Sequence, residues 1–376
     1  MVIIEFTDEQ KLIKKMIVDF SEKKLTREVL KQIDETGIFP EEIINEMSKL
    51  GLFALKAPKE YGGVGVDTLT YVLAMEEMSK YSAVASIYLA TPNSLSTGPL
   101  LMDGTDEQKQ KYIKEIASGE KKLSFALTES QAGSDAGGVT TTAKKEGNYY
   151  ILNGRKTFIT MAPIADYAIV YAKTDVTMGT KGISAFIVDL KSDGVTVGKE
   201  EDKMGVIGCP TGDIILKNVK VPVTNLLGKE NDGFRTAMKT LNTGRLGVAA
   251  QSVGVAQAAL NETIQYSKDR QQFGKPICEF QSISFTIADM ATKIECARSL
   301  LYRAAKIQDR KLVAMAKYYC AEICNEVCGK ALQIHGGYGF IKGYKIERLY
   351  RDCRVFTIYE GTSQIQQMII SRELLK

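Results

Sequence analysis

Thr140-Thr141-Thr142-Ala143-Lys144-Lys145-Glu146-Gly147-Asn148-Tyr149-Tyr150-Ile151-Leu152 is the stretch at which the periodicity of the chain changes. On both sides of Gly147-Asn148, apolar or β-branched residues alternate with polar ones, which predicts a β-hairpin. Similar runs, each bounded by Gly, Asp, Asn or Pro, follow at Thr157 to Thr160, Tyr167 to Lys173, Ile183 to Asp189, Val195 to Val197 and Asp213 to Val219. Many short strands at such spacing predict a β domain over residues 121–228.

Upstream, nearly everything reads as helix. Thr7 with Gln10 has the form of a capping box, and Ile13, Met16, Ile17 and Phe20 continue at helical spacing to about Lys24. Pro40 opens a second helix with Ile43, Ile44, Met47 and Leu50 on its apolar side and Gly51 past its end. Gly63-Val-Gly65 lacks the third glycine and the preceding strand of a phosphate-binding pattern, so it reads as a plain turn. Asp67 caps a helix through about Lys80, and the apolar run from Ala83 to Leu101 predicts a buried helix broken or kinked at Pro92. Thr105 and Gln108 repeat the capping box before a short helix ending near Gly119. Downstream of Asn231-Asp-Gly233 the helical period returns over Phe234 to Arg270, Phe280 to Asp309 and Lys311 to Leu332, which predicts an antiparallel bundle. The expected plan is α+β, with a helical domain over 1–120, the β domain over 121–228 and a helical bundle over 229–376.

With 376 residues, 44% hydrophobic and 25% charged, the composition is that of an ordinary globular protein. A net charge of +4 without a dense Lys/Arg block does not suggest nucleic acid as a partner. Neither a secretory leader nor a membrane-spanning run is read, so the expected location is cytoplasmic. The seven cysteines show no disulfide or zinc spacing, and Cys320, Cys324 and Cys328 read as small buried residues on one side of a helix. One histidine in the whole chain leaves little for a metal site or a Ser-His or Cys-His pair; no metal is expected.

Chemistry is read first in Thr357-Ile358-Tyr359-Glu360-Gly361-Thr362-Ser363-Gln364. Apolar walls around Glu360 would strip hydration from its carboxylate and make it a stronger base, and Gly361 would let a substrate approach the backbone. The plainer reading is a helix capped by Thr362 and Ser363 with Glu360 solvated. Two further clusters stand out. Ser124 to Asp135 places Thr128, Ser130 and Ser134 around a small-residue turn suited to a heteroaromatic ring or pyrophosphate, or to an ordinary surface loop. Gln333-Ile-His-Gly-Gly-Tyr-Gly339 is not a dinucleotide fingerprint, since Lys342 stands where the third glycine belongs; it is a glycine-rich helix end, near a ligand or simply a cap. His335 reads as a packed histidine, and Arg245 and Arg270 as helix residues with a phosphate anchor as the sharper alternative.

Taken together and in order, Leu127-Thr-Glu-Ser-x-Ala-Gly-Ser-Asp135, Phe158-Ile-Thr160, Gly244-Arg245, Asp269-Arg-x-x-Phe-Gly274, Gln333-Ile-His-Gly-Gly337 and Ile358-Tyr-Glu-Gly-Thr-Ser363 resemble the acyl-CoA dehydrogenase family, specifically its short-chain, butyryl-CoA type. The resemblance runs from Phe6 to Leu374. It implies an N-terminal helical domain, a central β-barrel-like domain and a C-terminal four-helix bundle, in homotetramers, with FAD as cofactor, an acyl-CoA as substrate and an electron-transfer flavoprotein as electron acceptor. It implies that Glu360 removes the α proton of the thioester while the β hydride passes to the flavin, giving a trans-2-enoyl-CoA. By matching positions, Phe125, Leu127, Thr128, Ser134, Phe158, Ile159 and Thr160 are expected at the flavin, completed by Thr362, Ser363 and Gln364. Arg270, Gln272, Phe273, Gln281, Gln333, Ile334, His335, Gly336 and Gly337 are expected at the diphosphate and adenosine end of FAD, in a neighbouring subunit. Ser134, Asn242, Thr243, Gly244, Arg245 and Gly361 are expected along the CoA path.

Departures from the family pattern are Phe158 where many members carry Trp, Phe125 for a frequent Tyr, Ser130 for Pro, and Asn242 for an acidic residue. Glycine at 244 argues against the isovaleryl and long-chain branches, whose base lies near that position. Tyr81 to Asp103 contains no arginine for a distal carboxylate, and Pro92 with Pro99 in the same segment suggests a branched, cyclic or otherwise non-linear acyl chain. The preferred reading is a dehydrogenase of short- or medium-chain acyl-CoA. The alternatives are an enoyl-CoA reductase within an electron-transfer-flavoprotein-linked complex, a dehydrogenase of branched, cyclic or aryl-substituted acyl-CoA, and, remotely, a non-catalytic scaffold.

Overall fold

Thr7 accepts from the Gln10 backbone N–H at 3.2 Å and Gln10 Oε1 accepts from the Thr7 N–H at 3.1 Å, a reciprocal cap that starts α1 (Asp8–Lys24). The structure is a computed structural model and describes residues 5–376; the first four residues of the domain expected over 1–120 lie outside the described residues. A helix that the periodicity did not reveal, α2 (Arg27–Thr36), follows under a Thr26 cap; it buries only Leu30 and Ile33, too thin a stripe to register. Next come α3 (Glu41–Lys49), α4 (Thr68–Tyr81) and α5 (Ala83–Ala90). The chain then remains helical through Pro92 by widening into a π turn over Thr91–Ser96 before α6 (Thr97–Asp103). Asn93 Nδ2 donates to Leu89 O at 2.8 Å and Leu52 O at 2.6 Å, satisfying carbonyls around the widened turn. α7 (Asp106–Gln108) and α8 (Lys114–Ala117) close this region.

The strands are β1 (Leu123–Ala126), β2 (Thr142–Glu146), β3 (Tyr149–Thr160), β4 (Tyr167–Lys173), β5 (Ile183–Asp189), β6 (Val195–Val197), β7 (Thr211–Pro222) and β8 (Leu226–Leu227). They pair in the order β6-β7-β3-β2-β4-β5-β8, with β1 parallel to β4. The hairpin at Gly147-Asn148 pairs Glu146 with Tyr149. The runs expected separately at 149–152 and 157–160 are one strand, because β3 pairs with β7 almost throughout, with register shifts between Leu152 and Gly154 and between Lys156 and Ile159. Ile169, Tyr171 and Ile187 pack on one face of the sheet and Val170, Phe186 and Val188 on the other, so both faces are covered.

The rest is α9 (Gly233–Asp269), a small β9 (Gln271–Gln272) and β10 (Lys275–Pro276) hairpin, α10 (Gln281–Ile307), α11 (Arg310–His335), α12 (Lys345–Cys353), which was not anticipated, and α13 (Ser363–Leu374). One hydrophobic core joins these helices to the N-terminal ones, running from Ile17, Met47 and Met78 to Val253, Leu301 and Phe356. Buried Glu76 on α4 takes Arg298 Nε at 2.9 Å and the Tyr302 hydroxyl at 2.7 Å from α10, and Arg351 on α12 reaches Asp34 on α2 at 2.7 Å. The thiols of Cys324, Cys328 and Cys353 lie within 4.8 Å of one another in this core. Among the described residues, no helix is long and apolar enough to cross a membrane.

Candidate active site

The turn between α12 and α13 has two consecutive left-handed residues, Glu360 (φ 53°) and Gly361 (φ 94°). For a residue with a side chain this conformation is uncommon and must be held by its surroundings. Thr362 Oγ1 accepts from the Ile365 N–H at 3.3 Å and caps α13. Sequence offered a capped helix or a desolvated base as alternatives; the structure has both, since the cap lies beyond the turn and the carboxylate points inward. Glu360 Oε2 is buried without a hydrogen-bond partner. Burial pushes this carboxyl up to about 7, against the opposing pull of Arg245 and Lys317. Among the described residues, nothing accepts a hydrogen bond from the Glu360 backbone N–H.

Glu360 closes a cavity of about 220 Å³ to which all three parts of the chain contribute. The widened turn and α5 supply Ile87, Ala90, Thr91 and Leu95; the sheet supplies Phe125, Leu127, Thr128, Gly133, Ser134 and Phe158 to Thr160; α9 supplies Met238, Leu241, Arg245, Gly247, Val248 and Gln251; Tyr359, Gly361 and Ile365 complete it. The register shift in β3 places Phe158 at φ 56° and leaves its ring 64% exposed at this cavity. A side chain at position 244 would collide with the base: a Cβ built on Gly244 lies 2.7 Å from Glu360 Cδ and closer still to Oε2.

A fully buried ion pair stiffens the sheet wall. Lys156 Nζ donates to Glu129 Oε1 at 2.7 Å and to Leu127 O at 3.0 Å, while Glu129 also accepts from the backbone and hydroxyls of Thr140 and Thr141. The Thr157 N–H donates to Thr128 O at 2.9 Å. The segment bearing Leu127 and Thr128 is thereby fixed against the strand bearing Phe158 and Thr160.

Not every residue singled out in the sequence reaches this cavity. Asn242 and Thr243 do not line it, and Gly244 meets Glu360 from behind. Arg245 is buried with Nε 3.4 Å from Glu360 O. The Thr362 hydroxyl is used by its cap, the Ser363 hydroxyl donates to Glu322, and Gln364 is exposed; none of the three lines the cavity. Arg270, Gln272, Ile334, His335, Gly336 and Gly337 come together in a separate open groove with Tyr266 and Tyr338, while Gln281 and Gln333 are exposed outside its lining and Phe273 is 92% exposed. His335 is packed, its ring stacked on Tyr266 and its Nδ1 2.7 Å from Ala331 O. Sequence reasoning missed Gln251 and Val248, although helical spacing from Arg245 would have found Val248. It also missed Lys317, a lysine on the buried stripe of α11 that includes Val313, Ala316 and Cys320.

The chain matches three family models in succession: the N-terminal domain of acyl-CoA dehydrogenase over residues 7–120, its middle domain over 124–219 and its C-terminal domain over 231–375. It is 62% identical to the caffeyl-CoA reductase-Etf complex subunit CarC of Acetobacterium woodii, over 99% of both chains. It is 57% identical to a 3-(aryl)acrylate reductase of Clostridium sporogenes, over 99% of this chain and 100% of that one. Its fold superposes on butyryl-CoA dehydrogenase from Megasphaera elsdenii with a TM-score of 0.97 at 43% identity, covering 100% of each chain. The chain belongs to the acyl-CoA dehydrogenase family, FAD-dependent oxidoreductases acting on CH–CH groups.

The cavity suits a flavin. Phe125, Leu127, Phe158 and Ile159 give it apolar walls, and among the described residues the hydroxyls of Thr128, Ser134 and Thr160 have no hydrogen-bond partner, leaving them available at its edge.

Proposed function

We propose that the protein is an aryl-acrylyl-CoA reductase, adding hydrogen across the double bond next to a CoA thioester with electrons supplied by an electron-transfer flavoprotein. The observation that carries the chemistry is the unpartnered, desolvated carboxylate of Glu360 at the end of an apolar cavity. Support for direction and substrate comes from the two reductases, which are more similar to this chain than the dehydrogenases of Bacillus subtilis and Clostridium acetobutylicum at 46% and 42% identity.

FAD, when bound, supplies a two-electron carrier able to give or take a hydride. Phe125, Leu127, Thr128, Ser134 and Phe158 to Thr160 would hold its ring. Protonated Glu360 delivers the proton to the α carbon of the enoyl thioester, and in the opposite direction its carboxylate removes it. The unpaired Glu360 N–H is available to the thioester oxygen as charge develops there. Ile87, Ala90, Leu95 and Val248 exclude water from the reacting carbons and give a ring-bearing acyl group an apolar seat.

The groove at Arg270 is read as the adenosine end of a site in another copy of the chain. Arg245 and Arg270 lie about 37 Å apart along α9, too far for one dinucleotide to touch both. This supports a homo-oligomer, taken as a tetramer; a cytoplasmic location and domain divisions near residues 121 and 229 belong to the same proposal but do not rest on this distance.

The test is a panel of CoA thioesters added anaerobically to the purified holoprotein. Arylpropionyl-CoA is expected to bleach the flavin, and arylacrylyl-CoA to reoxidise the reduced form, each faster than the butyryl pair. Faster reaction with butyryl-CoA would return the protein to short-chain dehydrogenation, and bleaching by glutaryl-CoA would contradict both.

A further inference from the structure

The left-handed turn at Glu360 and Gly361 is held by its two carbonyls, and the donors are unusual. Gln366 Nε2 donates to Glu360 O at 3.3 Å and to Gly361 O at 2.9 Å. Arg245 adds Nε to Glu360 O at 3.4 Å, and Lys317 adds Nζ to Gly361 O at 2.7 Å. Lys317 has no solvent exposure and Arg245 almost none. Among the described residues, neither has a carboxylate within 4.0 Å. A buried ammonium without a counter-ion is costly, and a neutral donor already serves the same carbonyl, so hydrogen bonding alone does not account for a charged group here.

The other ionisable groups around the base do not supply an alternative charge. Tyr71 on α4 and Tyr359 beside Glu360 are pushed up by burial and stay neutral, Lys56 lies over the Tyr71 ring at 5.5 Å, and Glu322 on α11 accepts from Ser363. Arg310, at the start of α11, disfavours the charge on Arg245.

We propose that Lys317 is a positioning residue for the base: anchored on the Gly361 carbonyl, its ammonium fixes the left-handed turn and, with Arg245, supplies the positive charge that keeps Glu360 ionisable in an apolar cavity. The proposal rests on the reading of Glu360 as the proton-transfer group. Burial drives Lys317 down to about 8, with Arg245 pulling the same way and the Glu360 and Glu322 carboxylates opposing the drop, so Lys317 and Glu360 stabilise each other's charged forms.

The experiment compares wild type with Lys317→Met, Lys317→Arg and Glu360→Gln as holoproteins, measuring flavin content, KM and the pH dependence of anaerobic flavin bleaching. Lys317→Met is expected to keep flavin and a KM within about threefold of wild type. Its bleaching limb is expected to move up by about one pH unit, with kcat near neutrality down on the order of 10-fold and largely recovered at higher pH. Lys317→Arg is expected to return the limb to its wild-type position. If Lys317→Met does not fold, Lys317→Gln, which keeps a donor for Gly361 O without the charge, carries the same expectation. An unmoved limb in a flavin-replete uncharged variant would overturn the proposal while leaving Glu360 as the base. Full bleaching by Glu360→Gln would remove the base assignment itself, and the proposal with it.

Discussion

The Glu360 carboxylate, in the turn before α13, packs directly against Gly244 on α9: a β carbon at position 244 would lie 2.7 Å from Glu360 Cδ, so glycine there leaves room for the carboxylate. A helix and a turn separated by more than a hundred residues thus meet at one close contact. Gly244→Ala should push the carboxylate aside and lower the rate on the order of 100-fold, with flavin content and fold retained, because small misplacements of a reacting group are costly. Single-turnover bleaching of the flavin-loaded variant checks this; wild-type rates would mean that the carboxylate does not work from its observed position.

The pH dependence has a defined sign. Glu360 is held near 7, so proton removal from a saturated thioester should accelerate as pH rises through about 7, and proton delivery to an enoyl thioester should slow over the same window. Because the folded value lies above the ordinary 4.5, the unfolded chain loses this proton first and stability falls between about 4.5 and 7. Stopped-flow measurements in both directions, alongside denaturation at matched pH, read the two effects separately.

Lys156→Met leaves the Glu129 charge buried without its ammonium partner. Loss of about 3–5 kcal/mol is expected by analogy with broken buried pairs, together with weaker flavin retention, since Lys156 also holds the Leu127 carbonyl. Adding Glu129→Gln should recover part of the stability. Denaturant midpoints and the absorbance ratio of flavin to protein provide the two readouts.

Thr362→Ala distinguishes a capping hydroxyl from a ligand-binding one. Removal of the cap on α13 should cost about 1 kcal/mol and leave flavin content unchanged. Thermal melts and flavin content of the purified variant decide between the two roles.

Legibility in the sequence followed pattern strength. Capping boxes at Thr7 and Thr105, the Gly147-Asn148 hairpin and the long apolar helices of the bundle were readable because each is a local signal with a fixed spacing. α2 and β1 were not, since one buries two side chains and the other spans four residues. Glu360 could be named from its neighbours, but its desolvation depends on α9 and α11 arriving from elsewhere in the chain. Lys317 was invisible as a partner because nothing local says that a lysine will meet a carbonyl forty-four residues away.

The π turn at Thr91–Ser96 has a consequence for how this protein changes over generations. Such a turn accommodates an extra residue inside a continuous helix, so deleting or restoring one residue there would rotate Thr91 and Leu95 relative to the cavity at Glu360 while α4 and α9 keep their places. The shape of that cavity is therefore open to a single-codon change in length, at a point where the helix already carries an extra residue.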